Sequence, residues 1–173
     1  MQIITIRKKS LIRYASFLII LFLGFGTVMV SRGIKPETTE IKLYFVDAQM
    51  MRLIPVSTTI PKTTTDRMAQ HVLDEIMKGR DDNPKIRRLL PYKKHGLTVK
   101  VEDNIAYVNI DKYIAENHPD GRDIEMLTVY SIVNSLAEID GIIIVRFTID
   151  GESQKDFMGY LDMRETFIPD YYV

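Results

Sequence analysis

The chain has 173 residues with 46% apolar and 27% charged side chains, proportions of a folded globular chain rather than a disordered one. Basic and acidic residues balance at 23 each, but Arg7, Lys8, Lys9 and Arg13 fall in the first 31 residues, which hold no acid. The remainder carries 19 basic against 23 acidic residues, so nothing electrostatic points to nucleic acid, and the absence of cysteine excludes thiol chemistry, disulfides and a lipid-modified cysteine anchor.

Tyr14 to Val30 reads YASFLIILFLGFGTVMV, 17 residues without a charge. At a rise of about 1.5 Å per residue this length approaches what a hydrocarbon layer of about 30 Å requires. The spacing predicts a membrane anchor built from Tyr14, Phe17, Leu18, Ile19, Ile20, Leu21, Phe22, Leu23, Phe25, Val28 and Val30. The basic residues before it place the N-terminus in the cytoplasm and the rest outside. A cleaved signal peptide would want a small-x-small site where Val28-Met29-Val30-Ser31 stands, and a core helix would show a polar side. Residues 1–31 thus read as a basic tip and transmembrane signal anchor, and 32–39 as a tether holding Gly33 and Pro36.

Ile41, Leu43 and Phe45 alternate with polar positions and predict a strand, followed by a turn over 47–51. Leu53–Ile60 predicts a second strand, which Pro55 confines to a sheet edge because proline donates no ladder hydrogen bond. Thr63-Thr64-Thr65-Asp66 offers N-caps for a helix whose apolar stripe is Met68, Val72, Leu73, Ile76 and Met77, closed by Lys78-Gly79. Residues 80–91 form a polar connection in which Ile86, Leu89 and Leu90 suit one helical turn. Leu97–Val101 and Ile105–Ile110 flank Asp103-Asn104 and predict a β-hairpin.

After Pro119-Asp120-Gly121, a second helix carries an apolar stripe of Met126, Val129, Tyr130, Val133, Leu136 and Ala137. Its opposite, polar face is Thr128, Ser131, Ser135 and Glu138. Ile142–Ile149 predicts a β-branched strand with Ile143, Val145, Phe147 and Ile149 on one face, and Gln154–Tyr160 a weak last strand. The order β-β-α-β-β-α-β predicts an α+β fold in which two helices cover one face of a mixed, mainly antiparallel sheet.

Residue types that carry chemistry are sparse. His71, His95 and His118 lie in separate elements and lack metal-ligand spacing. Asp120-Gly121-Arg122-Asp123-Ile124-Glu125 departs from a calcium loop, and Asp81-Asp82-Asn83 reads as a solvated loop. Asp47, Asp111 and Asp150 each end a strand, where aspartate commonly forms a turn, although two of them meeting at one sheet edge would resemble a carboxylate site. No catalytic, cofactor-binding or metal-binding residue is assigned, and no cofactor is expected.

Four segments together carry a resemblance: IKLYFVDAQMMRLIPV at 41–56, MAQHVLDEIMKG at 68–79, LTVKVEDNIAYVNIDKYI at 97–114 and TVYSIVNSLAEIDGIIIVRFTIDGE at 128–152. In order and spacing they resemble the GerMN domain family of sporulation and spore germination, over residues 40–168, with 169–173 as a tail. The resemblance implies a small α+β fold related to ring-building motifs, no known catalytic residues, and an extracytoplasmic role in spore-forming Gram-positive bacteria. Many relatives are lipoproteins or carry two copies, whereas this chain has a single copy and no cysteine. A non-enzymatic interaction or assembly domain follows, partnered with the cytoplasmic membrane and with envelope or sporulation proteins, itself included. Its expected interfaces are strand 53–60 and the exposed side of helix 123–139. The alternative is an envelope module that binds cell wall or a small ligand.

Overall fold

The computed structural model describes residues 37–154, 157 and 159–173. The predicted anchor at 14–30 lies outside the described residues. Among the described residues, no helix is long and apolar enough to cross a membrane.

Among the described residues, six strands and three helices follow in the order β1 (Thr38–Asp47), β2 (Leu53–Pro61), α1 (Thr65–Lys78), β3 (Ile86–Arg87), β4 (Leu97–Glu102), β5 (Ile105–Ile110), α2 (Lys112–Glu116), α3 (Arg122–Ala137) and β6 (Ile144–Ile149). They form two three-stranded sheets, β2-β1-β3 and β4-β5-β6, where the sequence predicts one. All pairings are antiparallel except β5 with β6, which run parallel and are joined by the crossover holding α2 and α3. α1 packs chiefly on β4 and α3 chiefly on β1, so the two long helices do not share one face of one sheet. One apolar cluster unites them, with Leu43, Ile60, Val72, Leu73, Leu97, Val108, Val133, Leu136 and Val145 fully buried.

The β4–β5 hairpin turns as its residues require: Asp103 and Asn104 have φ of 49° and 66°, the two left-handed positions of a tight hairpin turn, which short polar side chains tolerate best. Asn104 then donates from Nδ2 to the Gly141 carbonyl at 2.8 Å, fixing the end of the crossover. α1 buries Ala69, Val72, Leu73, Ile76 and Met77, nearly the stripe read from its spacing, and ends at Gly79 with φ of 72°.

Three expectations are corrected. Ile86–Arg87 is a short strand paired to Val46–Asp47, not a helical turn. β6 starts at Ile144, with Ile142 buried and Ile143 61% exposed, so Ile143 does not join the face of Val145, Phe147 and Ile149. Among the described residues of 154–160 there is no strand; the outer edge of β6 is instead met by single residues, Phe167 opposite Val145 and Glu152 opposite Ile149.

Candidate interaction surface

β2 is the edge of its sheet, as Pro55 predicts. Which of its backbone groups face outward follows from its partner. Opposite Pro55 stands Tyr44, whose N–H donates to Ser135 Oγ at 2.8 Å and whose carbonyl accepts from Ser131 Oγ, both on α3. Tyr44 and Pro55 are therefore a pair without hydrogen bonds between them, and the odd-numbered residues of β2 turn their backbone groups away from β1. The ends agree: Lys62 N–H donates to the Glu37 carbonyl, continuing the inner ladder, while Leu53 N–H donates outward to the Val173 carbonyl. Pro55 and Pro61 have no N–H. Among the described residues the open edge thus offers two backbone donors, Ser57 and Thr59.

The face shared by those odd residues is also uncovered. Pro55, Ser57, Thr59 and Pro61 are exposed, as are Glu40 and Lys42 beside them on β1. The β4 edge is closed by contrast. From α1, Gln70 Nε2 donates to the Leu97 carbonyl and Oε1 accepts from Val99 N–H, while Asp66 accepts from Val101 N–H at 2.7 Å.

α3 offers no comparable surface. Beyond its first turn no residue is exposed, and Thr128, Ser131 and Ser135, the expected solvated face, are buried together with Glu125 and Asn134. Each holds a neighbouring segment. Thr128 Oγ1 lies 2.8 Å from His118 Nε2, and the serines bond Tyr44. Asn134 takes both the N–H and the carbonyl of Asp170 at 3.0 and 2.6 Å. Glu125 accepts from Tyr160 N–H and Leu161 N–H at 3.0 and 3.4 Å. Tyr44 Oη donates to Glu138, and burial first, that hydrogen bond second, raises its pKa. Residues 160–173 consequently wrap α3, with Tyr171 ringed against Tyr44 at 5.4 Å. The exposed-helix expectation fails because buried polar side chains read like solvated ones.

The carboxylates form turns and caps. Asp47 accepts from Gln49 and Met50 N–H at 2.8 and 3.0 Å, and these bonds hold its pKa below the ordinary value. Asp111 is held low by Lys93, then by the N–H of Tyr113 as it caps α2. Asp150 accepts from Lys112 N–H at 2.9 Å. Asp111 and Asp150 do end adjacent strands, while Asp47 sits on the other sheet. Neither Asp47 nor Asp111 is tuned to the protonated form that a general acid needs. Gly121 is the N-cap of α3, and Asp123 and Glu125 occupy its first turn. Asp81 pairs with Arg88, and among the described residues no group of three His, Asp or Glu is placed to hold a metal.

His118 is buried with its ring 4.9 Å from that of Phe157. Burial lowers its pKa, offset in part by the Pro119 backbone. A base whose folded pKa is depressed costs nothing while neutral, and stability is lost as pH falls through the unfolded value of 6.5. The unfolding temperature is expected to drop between pH 7.5 and 5.5, above the range where Asp47 and Asp111 titrate, and His118→Asn should flatten that slope. An unchanged slope in the variant would assign the effect elsewhere.

The matched sequence family, described as sporulation and spore germination (Germane), covers residues 42–155. Among solved structures, a protein from Clostridium perfringens assigned as a lipoprotein superposes with a TM-score of 0.55 at 17% identity, over 78% of this chain and 91% of that one. The first GerMN domain of the sporulation protein GerM from Bacillus subtilis gives 0.53 at 18% identity, over 78% and 99%. The tandem GerMN domains of that protein give 0.52 at 20% identity, over 75% of this chain but 45% of theirs. No curated protein sequence matches the chain. With the family match spanning most of the described domain and the fold shared with GerMN structures, this chain belongs to the Germane family of sporulation and spore germination.

Proposed function

We propose that the domain is a non-catalytic interaction module acting outside the cytoplasmic membrane during sporulation or germination, tethered by the apolar segment 14–30 and joining other envelope proteins. The family supports the biological setting. The likeness to a clostridial protein assigned as a lipoprotein supports an envelope location. The observation that carries the reading is the β2 edge: a nine-residue strand, paired on one side, free of charge along LIPVSTTIP, with an uncovered face beside it. Proteins commonly block such edges with lysine, proline or a covering element, as α1 covers β4 here; on β2 the two prolines interrupt the edge and the stretch between them, with the Ser57 and Thr59 donors, is what stays open to a partner.

A photo-crosslinking residue placed at Ser57 of the full-length chain, in sporulating cells of its source organism, is expected to form discrete adducts with an envelope protein or with the chain itself. The same residue at Lys100, exposed on the closed β4 edge, should form few. Equal adducts at both positions, or none at Ser57, would remove β2 as the interface.

A further inference from the structure

We propose that the outer face of the β4-β5-β6 sheet binds a carboxylate-bearing sugar of an envelope glycan. The proposal rests on the placement outside the membrane given above, and is independent of the β2 edge. The inner face of this sheet is core, with Ala106, Val108, Val145 and Phe147 buried. Among the described residues the outer face is open, and Lys100, Tyr107 and Arg146 stand exposed on it in one cross-strand row. Asn109 and Thr148 form the next row. Neighbouring strands lie about 4.8 Å apart and alternate residues about 6.7 Å apart, so Tyr107, Arg146, Asn109 and Thr148 bound a patch the size of one sugar ring.

Each group narrows what the patch can hold. Tyr107, 38% exposed, offers a ring whose electron-rich face attracts the polarised C–H groups of a pyranose. Arg146 has no ion pair or hydrogen bond among the described residues, and its planar fork fits a carboxylate through two parallel bonds. Asn109 is held from behind: its Oδ1 accepts from Thr148 Oγ1 at 3.0 Å and from Gly151 N–H at 2.6 Å. Those bonds fix the amide and leave the two N–H donors of Nδ2 for a ligand hydroxyl or acetamido oxygen. Ile105 and Ile144, half-buried on the other side of Tyr107 and Arg146, continue an apolar floor for the next ring of the chain.

Other occupants match less of this chemistry. A peptide strand has no edge to join here, because α1 closes β4 while Phe167 and Glu152 meet β6. Three strands of six residues span about 14 by 20 Å, well short of the roughly 800 Å² that each partner buries in a standard protein interface. A polyol phosphate brings no ring for Tyr107. Nucleic acid brings rings and anions, but residues 37–173 hold 17 basic against 23 acidic residues, and Lys100 is already paired with Glu102. One unpaired cation beside one aromatic ring suits a polymer with well-spaced charges, not one charged at every unit.

The test compares N-acetylmuramic acid with N-acetylglucosamine, sugars that differ by a carboxylate-bearing ether, on the full-length chain in detergent micelles. NMR follows the Asn109 side-chain amide and the Tyr107 ring. Both signals are expected to move with N-acetylmuramic acid, and about tenfold more of the neutral sugar should be needed for the same shift. Arg146→Gln should erase that preference, whereas Tyr107→Ala should weaken both sugars alike, by about tenfold. Lys42→Gln, an exposed change on the other sheet, should alter neither. Thermal melts of the variants check that the fold survives.

Equal affinity for the two sugars, a preference that survives Arg146→Gln, or no movement at Asn109 and Tyr107 would each overturn the site. Tighter binding of oligothymidylate than of peptide-stripped glycan strands, at about 0.15 M salt, would assign the face to nucleic acid instead. Photo-adducts at Ser57 report the β2 edge alone: their absence beside intact sugar binding would remove that interface and leave this one, and the converse result would do the reverse.

Discussion

Replacing Ser131 and Ser135 together by alanine is expected to destabilise the domain by about 2–4 kcal/mol, although both residues read as solvated in the sequence. The reason lies in Tyr44, 9% exposed in the middle of β1, where the strand has α3 rather than another strand beside it. Its N–H and carbonyl find their partners in the two hydroxyls, and Ser135 Oγ also donates to the Ser131 carbonyl at 2.7 Å. Removing the hydroxyls leaves two buried backbone groups unpaired, at a cost of about 1–3 kcal/mol each. Better helix propensity returns at most about 0.5 kcal/mol per alanine. Urea and thermal unfolding should show the loss, as a fall in midpoint of roughly 6–12 °C for a domain of this size. A change within about 0.5 kcal/mol, the ordinary result for surface substitutions, would mean that water replaces the serines without penalty.

Arg80→Ala is expected to cost about 2–4 kcal/mol as well, by a different route. The guanidinium lies 5.1 Å from the centre of the Phe45 ring, donates to Glu75 at 2.7 Å and to Thr58 Oγ1 at 3.1 Å, and its side chain is only 17% exposed. Desolvation pushes the Glu75 pKa up, but the Arg80 hydrogen bond and charge, with help from Lys78, outweigh it and leave the carboxylate below its ordinary value. Alanine would lose a stacking contact worth about 0.5–2 kcal/mol and a charged hydrogen bond worth about 1.5–3 kcal/mol, and would strand the half-buried Glu75. Arg80→Lys keeps the charge but not the planar fork, so roughly half of the loss should remain. Equal stabilities of the alanine and lysine variants would show that geometry, not charge, is what Arg80 supplies.

The elements legible in the sequence are those whose signal is local. The β4–β5 hairpin is announced by Asp103-Asn104 between two alternating runs, and α1 by a stripe that buries one side only. Pro55 marks an edge because a missing N–H is a property of that residue alone. What stayed hidden depends on distant partners. Thr128, Ser131, Asn134 and Ser135 have the composition of a wet face, and nothing nearby in sequence announces Tyr44, His118 or Asp170 as their partners. The division into two sheets is hidden likewise, because parallel pairing of β5 with β6 spans a crossover of some thirty residues. Residues 160–173 lack any periodicity, since single side chains and backbone groups, not a repeating face, bind them to α3. Of the interaction surface, the edge and Pro55 could be read; that Pro61 ends the strand and that Ser57 and Thr59 present the donors required the structure and the outward bonds of Tyr44 and Leu53.

The wrapping of α3 sets an order on how the chain can mature. Tyr44 waits 91 residues for Ser135, and Asn134 a further 36 for Asp170. While the chain is still emerging from the ribosome or a translocation channel, the β1–β2 hairpin can close, yet both of its long edges stay bare until most of the polypeptide has appeared. Two nascent chains side by side could meet there along the wrong edge of β1, and arrival of α3 on that edge is what leaves β2 as the one available to a partner.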